Sequence, residues 1–158
     1  VNTPGGVASA RKNPCASCPY RRDCPSGVWH ADEYAILLHF DGPVAQQALS
    51  AHGCGIFYCH QSDGMLCAGW AGHREPYDIL AIRLGVASGR VSPSVLGYRT
   101  SVPLFATGAQ AAAHGMRDYV QPPLETVRAV AKIIRVRALC GSPVDSDNLE
   151  GGAHEQET

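Results

Sequence analysis

Six of the seven cysteines in this chain fall within its first 67 residues. Two sit in the run Pro14-Cys15-Ala16-Ser17-Cys18-Pro19-Tyr20-Arg21, and two more in Phe57-Tyr58-Cys59-His60 and Cys67-Ala68-Gly69-Trp70. Thiolates gathered this way are reactive unless something ligates or links them. A fold that brings them together must tie residue 15 to residue 67 and order the loops between. Val1 to Ala10 has no signal-type apolar run, and no stretch approaches the ~20 apolar residues of a membrane span. The expected setting is therefore cytoplasmic and reducing. There a Cys-x-x-Cys pattern points to metal or redox chemistry before a structural disulfide.

The candidate ligands are Cys15, Cys18, Cys59 and Cys67. A Cys-x-x-Cys turn places two sulfurs close enough to share one ion, and Pro19 stiffens the exit from it. Cys59 and Cys67 close the shell from a second segment. Zinc takes four cysteines, or three and a histidine, and its sites usually show two tight ligand pairs. A [4Fe-4S] iron–sulfur cluster tolerates more scattered ligands. Only the first pair is tight here, so an iron–sulfur cluster stands slightly ahead of zinc. Cys24 extends the first run and is a substitute ligand or a spare. His60 is a second substitute, although its place beside Cys59 suits a supporting role better. Cys54, between glycines, reads as a resolving thiol, and Cys140 as structural.

Apolar residues make up 45% of the chain, as in an ordinary globular protein. The length of 158 residues suits one domain with a real core. The net charge of −1 rules out a global basic field that would steer the chain to nucleic acid or an anionic membrane. Residues 1–13 read as a flexible arm, 14–140 as one metal-centred domain, and 141–158 as a disordered acidic tail.

Periodicity predicts a mainly α domain with irregular loops around the four-cysteine site. Tyr34, Leu37 and Leu38 have helical spacing over Ala31 to Phe40, and Asp41-Gly42-Pro43 ends that segment. Val44 to Ala51 suits a short helical turn. Ile56-Phe57-Tyr58 is the one plausible strand. Ile79, Leu80, Ile82, Leu84 and Val86 predict a core helix over Tyr77 to Ser88. Ser92-Pro93 starts a short helix, and Thr107 with Gln110 fits a capping box for another, ending near Gly115. Leu124, Val127, Ala131, Ile134 and Ala138 mark the expected core face of the longest helix, which ends before Gly141.

Arg128, Lys132, Arg135 and Arg137 then fall on the expected solvated face of that helix. They offer a weak nucleic-acid footprint in a neutral protein. Arg11, Lys12, Arg21 and Arg22 flank the cysteine loop and offset the charge of a four-thiolate site. Trp29, Trp70, Tyr20, Phe57 and Tyr58 read as a wall around the centre rather than a platform for bases. The remaining histidines show no ligand spacing. No phosphate loop, Gly-x-Ser-x-Gly or His-Glu-x-x-His is present. The deaminase order fails because no histidine precedes Pro14-Cys15-Ala16-Ser17-Cys18.

Pro14 to Trp29, with Tyr34, Asp41, Phe57-x-Cys59-His60-Gln61 and Leu66-Cys67-Ala68-Gly69-Trp70, resembles an uncharacterised cysteine-rich domain of unknown function from actinobacteria and their phages. The likeness runs on through Leu80 to Gly89 and Val102-Pro103-Leu104-Phe105 to about Asp118. It implies the same four cysteines, leaves Cys24 and Cys54 outside the pattern, and implies no activity. The run from Cys15 to Cys24 is also similar, locally, to WhiB-like iron–sulfur regulators. This chain departs from them in lacking an upstream cysteine and a basic DNA-binding tail. The expectation is a non-catalytic, possible regulatory metal protein that works through a protein partner, without a membrane role. The alternatives are a redox or thiol enzyme using Cys24 or Cys54, and a nucleic-acid binder using the basic C-terminal helix.

Overall fold

The computed structural model describes residues 6–141. The helices are α1 (Ala31–Leu37), α2 (Val44–Leu49), α3 (Ala68–Gly72), α4 (Leu80–Ala87), α5 (Gly108–Met116) and α6 (Leu124–Leu139). Single 3-10 turns at Leu38–Phe40, Pro76–Asp78 and Pro93–Gly97 join them. Helix therefore dominates, as periodicity predicts. The expected strand at Ile56–Tyr58 does not form. Its place is taken by one antiparallel bridge, Tyr58 to Leu66. Helix α3, which follows Cys67 directly, has too few residues to leave a periodic signal.

Helix α1 begins where the His30 ring accepts the Asp32 N–H, and carries Asp32 and Glu33 in its first turn. Its last residues tighten into a 3-10 turn, which brings Phe40 into the core and leaves Leu38 half-exposed. Helix α5 lies against α1 through two glycines: a Cβ at Gly108 would overlap Leu37 O, and one at Gly115 the Tyr34 ring. Thr107 caps α5 by accepting from Gln110 N–H. The Asp41 carboxylate, from the far side of α1, accepts the Gly108 and Ala109 N–H groups at 2.6 and 2.8 Å. The residue that ends one helix thus supplies the anion at the start of another.

Gln47 on α2 is wholly buried yet satisfied. Its amide donates to Gly42 O and Asp78 O, and its oxygen accepts the Leu80 N–H at the start of α4. Helix α4 buries Ala81, Ile82 and Gly85, but Leu84 of the expected face is exposed.

The described part of the N-terminal arm is anchored. Ala8 is buried, exchanges hydrogen bonds with Arg90 and Ser92, and forms a parallel bridge to Val91; Ala10 bridges to Leu66. Of the expected acidic tail, 141–158, residues 142–158 lie outside the described residues.

Helix α6 is rotated from its expected pose. It buries Thr126, Val130 and Ile133, while Leu124, Val127 and Ile134 are exposed at 62%, 43% and 44%. Two polar anchors accompany this docking. The Thr126 hydroxyl donates to Ser26 O at 2.6 Å, and Arg137 pairs with Asp63 at 3.1 Å. Val130 and Ile133 form a second apolar pair at i,i+3, so one helix offers two faces and the anchored one is buried.

Candidate metal centre

The cysteine loop is a chain of tight turns. Cys18 N–H donates to Cys15 O, Arg21 N–H to Cys18 O, and Cys24 N–H to Arg21 O, at 3.0, 3.0 and 3.3 Å. The loop is pinned from behind: the Trp29 indole donates to Ser17 O at 2.7 Å, and the Tyr34 hydroxyl accepts the Val28 and Trp29 N–H groups.

The second pair, eight residues apart, is closed by a hairpin-like return. Cys59 N–H donates to Met65 O and Cys67 N–H to Phe57 O, at 2.8 and 2.9 Å. Its tip is a turn in which Met65 N–H reaches Ser62 O and Gly64 takes a positive φ of 73°. Ser62-Asp63-Gly64 is the sequence signal for that turn, which folds the chain between Cys59 and Cys67 back on itself.

The four expected sulfurs lie near one another as two pairs. Cys18 Sγ and Cys67 Sγ are 3.6 Å apart and both residues are buried. Cys15, half-buried, partners Cys59. The thiol of Cys15 hydrogen-bonds to Cys59 and holds the Cys59 pKa down at about 5. The N–H groups of Gln61 and Ser62 and the Arg11 side chain help, against the cost of burial. Burial opposes ionisation of Cys18, but the Cys67 thiol and the N–H groups of Tyr20 and Gly69 together lower its pKa. Cys67 and Cys15 move up, first because each donates to its partner's sulfur and then because each is buried. Within each pair the two sulfurs shift in opposite directions, and main-chain N–H groups favour ionisation of the lowered one. Among the described residues, no three His, Cys, Asp or Glu side chains are gathered as a finished shell for an ion.

Gly69 packs directly against Cys18. Any Cβ there would overlap Cys18 Sγ, so the start of α3 can approach the thiolate only without a side chain. Sequence reasoning missed Gly69, the Tyr20 and Gln61 amides, and the hydrogen bond from Ser17, whose hydroxyl lies 3.7 Å from Cys15 Sγ. The Arg11 contact fits the expected charge compensation; Arg21 instead forks onto Asp23 at 2.6 and 2.7 Å.

The two substitutes make contacts of their own. Cys24 is buried, with its sulfur 3.5 Å from Pro25 O, and burial pushes its pKa up to about 12. The His60 ring nitrogen is 2.7 Å from Glu33 Oε2, and its ring packs on Trp29 and Phe57. Cys54 and Cys140 are exposed. Trp29, Trp70 and Tyr20 are buried, so they present no open stacking face, and Phe40 packs edge-on to Trp70 and Phe57.

A family model described as a family of unknown function, DUF6283, matches residues 10–132. The chain belongs to that family. The matched span holds all four clustered cysteines and their hairpin. It also holds Gly69 and most of α6, so the DUF6283 region contains the whole sulfur cluster. No curated protein and no solved structure matches the chain. Among the described residues no helix is long and apolar enough to cross a membrane.

Proposed function

We propose that Cys15, Cys18, Cys59 and Cys67 together bind one metal ion, and that the protein is a non-catalytic module held in shape by that ion and working through a macromolecular partner. The observation that carries this reading is the 3.6 Å separation of Cys18 and Cys67, with main-chain N–H groups directed at the sulfur. A tetrahedral ion with metal–sulfur bonds of about 2.3 Å holds its sulfurs about 3.8 Å apart. Ligands on separate irons of a cluster stand further apart. The pair therefore suits zinc better than the iron–sulfur cluster that ligand spacing alone favours. A structural zinc would supply folding energy, with all four positions taken by thiolates.

Burial counts against the Cys24 form of the redox alternative; Cys54, its other candidate thiol, is exposed. Cys24 beside the centre is closed off and held protonated, which makes it a poor nucleophile.

The test is anaerobic purification followed by metal and sulfide analysis and a visible spectrum. A colourless protein with one zinc per chain is expected, with the metal lost in Cys59→Ala and, for steric reasons alone, in Gly69→Ala. Iron with labile sulfide would replace zinc by a cluster. A folded, metal-free protein would end the proposal.

A further inference from the structure

The exposed face of α6 has a pattern that the fold does not use. Leu124, Val127, Ala131, Ile134 and Ala138 recur at steps of three, four, three and four residues, and all are exposed. That is the narrow seam of a coiled coil, not the wider stripe with which a helix covers a core. The core is already covered by Val130 and Ile133 on the other side. At 100° per residue, Arg135, Arg128 and Lys132 follow along one border of the seam with the exposed Leu139 among them, and the buried Val130 marks the other. All three cations are exposed, whereas Arg137 is spent on Asp63.

We propose that this seam docks an amphipathic helix of another protein, with apolar residues at heptad spacing and a row of acidic residues facing Arg128, Lys132 and Arg135. The proposal names the partner class that the preceding reading leaves open, and it does not depend on which metal is bound.

Charge selects this occupant. A second copy would bring the same cations to the seam, with Glu125 as the only acid on the helix to meet them. A lipid surface asks for a broad apolar face with large aromatic or aliphatic side chains. This seam is narrow, contains two alanines and is flanked on one side by folded protein. Knobs from a facing helix fit three-four spacing, and an acidic flank turns the cationic border into partner specificity.

The test uses the full chain as purified, with its metal content recorded, and a labelled four-heptad synthetic helix with Leu at the seam positions and Glu on both flanks. Its twin carries Lys in place of Glu. By fluorescence anisotropy the Glu helix binds saturably and more weakly as salt rises, and the Lys twin binds at least tenfold more weakly. Val127→Asp with Ile134→Asp weakens the Glu helix at least tenfold, with an unchanged circular dichroism spectrum. If that double variant fails to fold, Arg128→Glu with Arg135→Glu carries the test by inverting the preference toward the Lys twin. Equal binding of both peptides, or wild-type binding by the Asp variant, overturns the proposal. So does binding to phosphatidylserine vesicles or to mixed-sequence duplex DNA that the Asp variant loses, or self-association that the same variant abolishes. A folded chain purified without metal that still binds the Glu helix would end the metal reading and leave this one standing.

Discussion

His73 shows how much a single residue can be asked to tolerate. Its ring is stacked on Tyr20 at 4.4 Å and its Nδ1–H donates to Trp70 O at 2.6 Å, while Nε2 is buried without a partner. Burial, the largest cause, lowers its pKa from 6.5 to about 4, and the bond to Trp70 only partly opposes this. The unfolded chain takes up a proton near pH 6.5, where the folded chain does not. Stability is therefore full above pH 6.5 and falls as the pH drops toward 4, with no further loss from this group below that. The expected loss is on the order of 3 kcal/mol, at about 1.4 kcal/mol per pH unit. Urea unfolding at pH 7 and pH 4.5, compared with His73→Phe, checks it: the wild type loses the extra stability and the variant does not. Nothing in the sequence distinguished His73 from the other histidines, because its character comes from what is packed on it.

At the scale of elements, Asp41 couples two helices that are distant in sequence. Its carboxylate holds two N–H groups at the start of α5 and stands where the turn after α1 ends. Asp41→Ala should cost about 1–2 kcal/mol in urea unfolding, and Asp41→Asn less, since one acceptor oxygen remains. Equal stability of wild type and Asp41→Ala would show that Thr107 alone suffices as the cap. Element type was legible where periodicity was long or a cap was local, as at α1, α4 and α5. It failed where long-range contacts chose among local options. Val130 and Ile133 won the core over the more regular Leu124–Ala138 seam because Thr126 and Arg137 had partners waiting at Ser26 and Asp63. The second cysteine pair looked loose because spacing was counted along the chain; the turn at Gly64 folds the intervening residues back on themselves.

For the whole molecule, the sulfur cluster, the helical pair α1–α5 and the N-terminal segment are one continuous structure. His114 bonds Cys24 O, and Gly27 N–H donates to Gly115 O, so the cysteine loop is laced to α5 at 2.7 Å in both places. The N-terminal segment reaches both Leu66, beside Cys67, and Val91 beyond α4. The family match begins at residue 10, yet Ala8 is already in the core. Removing residues 1–10 should therefore lower the thermal midpoint by several degrees, the size expected for losing one buried apolar side chain and its backbone pairing. An unchanged midpoint by calorimetry would return the segment to the status of a free arm. Which cysteines come together could be read from their positions, but the glycine and the amides packed against them could not, because those contributions come from backbone geometry.

Both tryptophans of this chain lie in the buried wall beside the sulfurs. Trp70 stands three residues after Cys67, and Trp29 holds the carbonyl between Cys15 and Cys18. Thiolates and imidazoles quench indole emission at close range, and neither tryptophan has an exposed counterpart to mask the signal. The native fluorescence of the molecule is thus a direct optical readout of how its cysteine centre is assembled.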